Sequence, residues 1–183
     1  MVVPSKVFFT KGCGVHKEKL ISFEMALRNA GIAPYNLVCV SSIMPPDADI
    51  ITRDEGVKYL KPGEIVYCVM ARVSSQSDEI ISASIGLAAV KEHKNQHGYL
   101  SECCKSGVSA KTCGEHAEKL AAEMLSTILN PEAEGRAAEK VSGEDKVYSA
   151  GGKEFKTSHI SIDAVSRNGV WTTVIAAAVF VCT

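Results

Sequence analysis

Two consecutive prolines, Pro45 and Pro46, follow directly on the run Asn36-Leu-Val-Cys-Val-Ser41-Ser42-Ile-Met. Neither proline can donate a backbone hydrogen bond, so any sheet ladder must end before them. Leu37 to Val40 are apolar throughout, which predicts a strand over Asn36 to Ser42 buried on both faces. That strand closes on two hydroxyls, and a rigid Pro-Pro unit fixes the chain just beyond them. A polar strand end would read the same way. The combination also suits a strained bond whose neighbouring hydroxyl is held against a carbonyl.

Upstream, Lys6 to Thr10 reads as a short strand ended by Gly12-Cys13-Gly14. A helix follows from about His16 to Asn29, closed by Gly31 and then Pro34. Leu20, Phe23 and Leu27 form its apolar stripe, with Glu24 on the flank. Glu24 is either a solvated edge residue or a carboxylate at the wall of an apolar pocket, where it would want a cationic partner. Asp54 to Tyr59 predicts a short helical turn. Glu64 to Val73 and Glu79 to Val90 are strands rich in Val, Ile and Ala, expected to pair antiparallel across Ser74 to Asp78. Tyr99 to Glu102 predicts another short strand. Thr112-Cys-Gly-Glu115 fits a capping box for a helix with Ala117, Leu120, Ala121, Met124 and Ile128 on its apolar face, ended by Asn130-Pro131. Glu132 to Gly152 is polar and reads as an exposed linker or mobile hairpin. Lys153 to Arg167 and Val170 to Val181 are long strands around Asn168-Gly169, the strongest hairpin signal in the chain. Strand, helix, strands therefore occur twice. The expected fold is one α/β domain over 1–183, a layered α/β/β/α sandwich with mainly antiparallel sheets inside and helices outside.

The chain has 183 residues, enough to bury a core without disulfides. Lys and Arg number 20 against 21 Asp and Glu, so no basic excess exists to neutralise phosphates, and no nucleic-acid partner is expected. The longest apolar stretch, Val174 to Cys182, is too short to span a bilayer. The opening MVVPSKVFFT lacks a basic segment leading into a long apolar run, so neither membrane nor secretion is indicated and a cytoplasmic location is expected. Seven cysteines are an odd number with no C-x-x-C pair. Cys39, Cys68 and Cys182 lie in apolar runs, where a thiol acts as a small hydrophobe. Reduced thiols and no metal are expected. Gly12-x-Gly14 lacks the rest of a dinucleotide fingerprint or P-loop and reads as a turn. His93 and His97 could meet a metal only as an exposed pair, and neither G-x-S-x-G nor H-E-x-x-H occurs.

The Asn36–Pro46 segment resembles the self-cleavage site of the pyruvoyl-dependent arginine decarboxylases: an Asn-Leu opening, a short apolar stretch, then Ser-Ser-Ile-Met-Pro-Pro. The resemblance extends to Ala26-Leu27-x-Asn29-Ala30-Gly31-Ile32, to Ile81-Ser82-Ala83, to Gly98-x-Leu100-x-Glu102 and to the Ala-rich strand Ala176 to Val179. It covers most of the chain and is weak over Glu132 to Gly152.

The resemblance implies that the Ser42 hydroxyl attacks the Ser41 carbonyl and converts the amide to an ester. Elimination and hydrolysis, with loss of ammonia, then leave an N-terminal pyruvoyl group at position 42. The products are a small chain, 1–41, and a large chain, 42–183. Asn36 is implied as the donor to the oxyanion. The cofactor is that covalent pyruvoyl group, with no pyridoxal phosphate and no metal; its ketone takes the substrate amine as a Schiff base and accepts electrons as carbon dioxide leaves. Glu102 is implied as the acid that protonates the α-carbon, a role that needs burial. The family's helix-borne Asp for the guanidinium corresponds here to Glu24, which keeps the charge, and Leu27 lines the same pocket.

The expected reaction is L-arginine to agmatine and carbon dioxide, and the expected assembly a homotrimer or dimer of trimers of cleaved protomers with sites between neighbours. The rival readings are a pyruvoyl decarboxylase for ornithine, lysine or histidine, an unprocessed non-catalytic homologue acting as a binding subunit, and a thiol redox or metal protein. Polyamine synthesis and acid resistance are not separated by the sequence.

Overall fold

The computed structural model describes residues 3–90, 95–131, 139–142 and 146–182. The chain runs β1 (Lys6–His16), α1 (Lys19–Ala30), β2 (Asn36–Cys39), β3 (Ile43–Met44), β4 (Asp49–Ile51), α2 (Arg53–Gly56), a 3-10 turn (Val57–Tyr59), β5 (Ile65–Ser75) and β6 (Glu79–Val90). It continues through β7 (Gly98–Ser106), α3 (Ala110–Leu129), β8 (Glu139–Ser142), β9 (Val147–Ala150), β10 (Lys153–Ser166) and β11 (Trp171–Val181).

β11 sets the frame because it is apolar on both faces. Val174, Ala176, Ala178 and Phe180 enter one buried cluster, and Ile175, Ala177, Val179 and Val181 enter another. Strand alternation sends these two sets to opposite sides, so β11 must lie inside a sheet covered on both sides. It is the middle strand of a five-stranded sheet ordered β2-β5-β11-β1-β4. One side packs on a six-stranded sheet ordered β3-β7-β6-β10-β9-β8, with Ile81, Ala83, Ile85, Leu87 and Leu100 facing it. The other side is covered by α1, and α3 covers the outer side of the six-stranded sheet. The two sheets are mostly antiparallel, with β2–β5 and β1–β4 parallel. The expected α/β/β/α sandwich is the observed one.

Three local expectations are corrected. Gly12 and Gly14 lie inside β1 instead of ending it, because α1 rests directly on that strand. A Cβ at Gly12 would collide with the Ala26 carbonyl, and one at Gly14 with the Ser22 carbonyl. The helix meets the glycines through Ser22, Ala26 and Ala30, all fully buried, while Leu20 is 78% exposed. Close approach of backbones thus selects the small face over the large apolar one. The same occurs at α3: its buried face is Cys113, Gly114, Ala117, Glu118, Ala121, Ala122, Leu125 and Ser126, with Ile128 exposed. Gly86 of β6 lies under Ala117, and Ser84 Oγ donates to the Cys113 carbonyl at 3.0 Å. The cap of α3 is Ser109, whose hydroxyl accepts from Thr112 N, one turn before the expected box. α1 ends as expected, with Gly31 left-handed at φ 78°.

Strand pairing is the larger correction. β5 and β6 do not pair; each lies in a different sheet. β10 and β11 part in the same way, joined only by the bridge between Arg167 and Val170. The Asn168-Gly169 bend forms, with Gly169 at φ 85°. However, β11 already takes β1 and β5 as neighbours, and β10 takes β6 and β9. The expected strand over Asn36 to Ser42 is likewise an edge strand, with Val38 40% and Val40 36% exposed. The polar stretch after Asn130 contains the antiparallel β8–β9 pair at the far edge of the six-stranded sheet. Residues 132–138 and 143–145 of that stretch, and His93, lie outside the described residues. Among the described residues, no helix is long and apolar enough to cross a membrane, and no three His, Cys, Asp or Glu side chains converge on a metal site.

One buried carboxylate fastens α3 to the six-stranded sheet. Glu118, 5% exposed, accepts from Lys146 Nζ at 2.6 Å, Thr157 Oγ1 at 2.5 Å and His159 Nδ1 at 2.7 Å. Burial alone pushes the Glu118 carboxyl up; the hydrogen bonds from these three partners outweigh it and hold it below its ordinary value. A depressed folded-state value means the stabilisation is present above the unfolded carboxylate range and is lost as pH falls through the folded value. Glu118→Gln is expected to cost about 2 kcal/mol of unfolding free energy at neutral pH. In urea titrations the gap between variant and parent should close below about pH 4. A gap independent of pH would show that the charge contributes nothing.

Candidate active site

β2 and β3 are edge strands of opposite sheets, and only residues 40–42 join them. Val40 N donates to the Cys68 carbonyl at 2.9 Å, the last bond to the first sheet. Leu100 N donates to the Ser42 carbonyl at 2.8 Å, the first bond to the second sheet. β3 then pairs with β7 through Ile43↔Tyr99 and Met44↔Gly98, and the prolines end it. The Ser41–Ser42 peptide therefore spans the gap between two sheets, anchored on both sides. The Ser41 carbonyl accepts from Ile43 N at 2.8 Å, which closes a three-residue turn with Ser42 at its apex.

From that apex, Ser42 Oγ donates to Glu102 Oε2 at 2.8 Å. Glu102 lies on β7, two residues beyond the fully buried Leu100 and on the same face of the strand. It is exposed in the isolated chain, so a single copy does not supply the burial that an acid at this position requires. Thiols stand close by. Cys39 is paired with Cys68 across the β2–β5 ladder, and it is Cys68 that is buried while Cys39 and Cys182 are exposed, unlike the small hydrophobes expected. Burial, then the neighbouring Cys39, push the Cys68 thiol up to about 12. Burial also pushes up Cys104, with Glu102 adding to it. Cys68 and Cys104 are thus uncharged neighbours of Glu102 at neutral pH.

The remaining residues singled out from the sequence are elsewhere. Asn36 starts β2, and the ladder from Asn36 to Cys39 spans about 10 Å before Ser41 is reached. Its Nδ2 donates to the Gly63 carbonyl at 2.7 Å, so within one copy the amide does not meet the Ser41 carbonyl. Leu27 and Asn36 line a cavity of about 540 Å³ with Phe23, Tyr35, Met70 and Arg72. The Arg72 guanidinium lies over the Phe23 ring at 4.3 Å. Glu24 lines a neighbouring hollow of about 420 Å³ beside Gly31 and Pro34, not the cavity of Leu27, because one helix row separates them. The Glu24 carboxylate holds the Arg28 guanidinium one turn on.

Ser41, Ser42 and Glu102 are therefore together, Leu27 and Asn36 are together, and Glu24 stands on the rim with Arg28. The i,i+4 spacing of Glu24 and Arg28 was a legible signal. The backbone donors of Ile43 and Leu100 had none, since any residue carries them.

The sequence is similar to known proteins over nearly its whole length. A model of the family described as pyruvoyl-dependent arginine decarboxylase matches residues 6–183. A relative from Methanosarcina acetivorans named pyruvoyl-dependent arginine decarboxylase 2 is 47% identical over 98% of this chain and 98% of its own. One from Methanococcoides burtonii named pyruvoyl-dependent arginine decarboxylase is 47% identical over 98% of this chain and 99% of its own. A third, from Chloroherpeton thalassium and named a probable pyruvoyl-dependent arginine decarboxylase, is 48% identical over 97% of each chain.

The thiol arrangement is checked by alkylation. Burial pushes the Cys68 thiol well above its ordinary value, so little thiolate is present at pH 8, and the side chain is fully buried. Iodoacetamide should leave Cys68 unlabelled in native protein and label it after denaturation, as read by peptide mass. Labelling of native Cys68 at the rate of an exposed thiol would contradict both its burial and its protonation.

Proposed function

Because this chain belongs to the pyruvoyl-dependent arginine decarboxylase family, we propose that it cleaves itself between Ser41 and Ser42 and then converts L-arginine to agmatine and carbon dioxide. The observation that carries this reading is the Ser42 hydroxyl, held on the Glu102 carboxylate where the chain passes from β2 in one sheet to β3 in the other. In processing, Glu102 takes the Ser42 proton as the hydroxyl adds to the Ser41 carbonyl carbon. The C–N bond breaks, and an ester links Ser41 to Ser42. Elimination then releases the Ser41 carboxylate, and hydrolysis expels ammonia. The resulting chains are 1–41 and 42–183.

The residues present fit the pyruvoyl group this would create. Leu100 N and the β3–β7 ladder hold position 42 independently of the Ser41 linkage, so the position stays beside Glu102 once that bond is cut. The group supplies an electron sink for the substrate's α-carbon. Glu102 then holds the proton that the α-carbon receives. Glu24 supports a cationic substrate, because its carboxylate already holds the Arg28 guanidinium and a substrate guanidinium can compete for the same oxygens.

The assembly follows from the split of the site. Leu27, Asn36 and Glu24 of one copy complete Ser42 and Glu102 of the next, in a trimer of cleaved protomers. The exposed Val38, Val40, Ile65 and Tyr67 along the β2–β5 edge support an interface there, and Glu102 gains its burial from it. A cytoplasmic location belongs to the same proposal, supported by seven free thiols.

Denatured intact mass tests processing. Two fragments are expected, split after Ser41, with the larger lighter by one ammonia than hydrolysis would leave it; Ser42→Ala should remain a single chain. A parent chain that stays whole after long incubation overturns the reading. Mixing tests the shared site: Asn36→Ala and Glu102→Gln should each be nearly inactive, while co-refolded mixtures regain about a quarter of parent activity, the share of interfaces with two intact halves. No recovery would put the site within one chain.

A further inference from the structure

The cavity that Leu27 and Asn36 line also holds a fixed cation, Arg72 of β5, which no step described above uses. The Arg72 guanidinium lies over the Phe23 ring at 4.3 Å, so α1 holds it in place on the cavity wall. Among the described residues Arg72 enters no ion pair. A guanidinium carries five N–H donors around its rim. Contact with a ring leaves that rim open to a carboxylate, which takes it as a two-pronged fork. We infer that Arg72 anchors the α-carboxylate of the amino-acid substrate, an inference that rests on the decarboxylase reading above.

Charge selects this partner. L-arginine carries a cation at the tip of its side chain and an anion on its α-carbon, with an aliphatic stem between them. A fixed cation in a cavity repels the guanidinium and attracts the carboxylate. Glu24, over the neighbouring hollow, offers the opposite sign. Its ion pair is with Arg28, so Glu24 and Arg72 do not neutralise each other. Leu27, Leu37 and Met70 line the cavity with apolar surface suited to the stem. The α-carbon therefore lies on the Arg72 side, and position 42 of the neighbouring copy must seat there.

The contact lasts only until carbon dioxide leaves. As the bond from the α-carbon to the carboxylate breaks, its electron pair passes to the pyruvoyl sink, and the departing carbon dioxide is neutral. A contact made in the ground state and lost as the charge departs contributes to substrate affinity and not to rate. Agmatine has no carboxylate, so Arg72 distinguishes substrate from product and favours release of the product.

Steady-state kinetics of the processed enzyme, with agmatine as competitive inhibitor, tests this. Arg72→Gln should raise the KM for L-arginine about 10- to 100-fold, the loss of a charge-assisted bidentate pair. Its kcat should stay within about threefold of the parent. The inhibition constant of agmatine should hold at the parent value or fall. Glu24→Gln removes a contact to the guanidinium that substrate and product share, and should raise both constants together. Arg72→Lys keeps the charge and loses the fork, so its KM should fall between those of parent and Gln variant. It also carries the test if the Gln variant misfolds, and intact mass establishes that each variant has cleaved. A parent-like KM in Arg72→Gln, a loss confined to kcat, or equal rises in KM and in the agmatine constant would overturn the inference while leaving the decarboxylase standing. A parent enzyme that cleaves itself and leaves L-arginine unchanged would instead remove the decarboxylase reading, and this anchor with it.

Discussion

A strand apolar on both faces has to be covered on both faces, and β11 imposes that requirement on the whole molecule. Covering one face with a second sheet and the other with a helix produces the layers. With two sheets stacked, the chain must pass from one to the other, and it does so between β2 and β3, between β3 and β4, between β5 and β6, and between β10 and β11. The last two passages are polar turns tied to each other: Asn168 N donates to Asp78 Oδ1 at 3.1 Å, and Ser166 Oγ donates to the Ser75 carbonyl at 2.9 Å. The first has no slack. Its chain is bonded to one sheet at Val40 and to the other at Ser42, and two serines fill the gap. The candidate site is a consequence of how the sandwich is crossed.

That origin accounts for the division of labour at the site. The groups that touch the Ser41–Ser42 peptide come from the crossing and from β7, which receives it. They are fixed by ladder bonds, so they are ordered before any chemistry starts. The cavity and hollow that hold Leu27, Asn36 and Glu24 lie on α1 and along β2. In the proposed assembly, a reaction needing both sets draws them from two copies. The apolar residues on the β2–β5 edge and Glu102 are both exposed in the single chain, as that proposal requires.

Small side chains decide the outer layers. Gly12 and Gly14 under α1, and Gly86 under α3, bring helix backbone onto strand backbone. Ser84 extends this by bonding to a helix carbonyl. Such contacts leave Leu20 and Ile128 outside although they are the larger apolar residues. Patterns that weigh hydrophobicity alone favour the wrong helix face here, because at close range volume limits packing before transfer free energy does.

What the sequence determined by itself was local. The Asn36–Pro46 segment announced both the strand break and the serine pair, Gly31 closed α1, Glu79–Val90 was delimited as a strand, and Asn168-Gly169 marked a bend. These follow from φ/ψ preference, missing donors and alternation, which a short stretch encodes. The tertiary structure alone decided which strands became neighbours, which face of α1 and α3 turned inward, and where Asn36 and Glu24 stand relative to Ser42. An alternating strand specifies that one face is buried but not against what. That choice is made by competition among all the strands for partners, and no local pattern contains it.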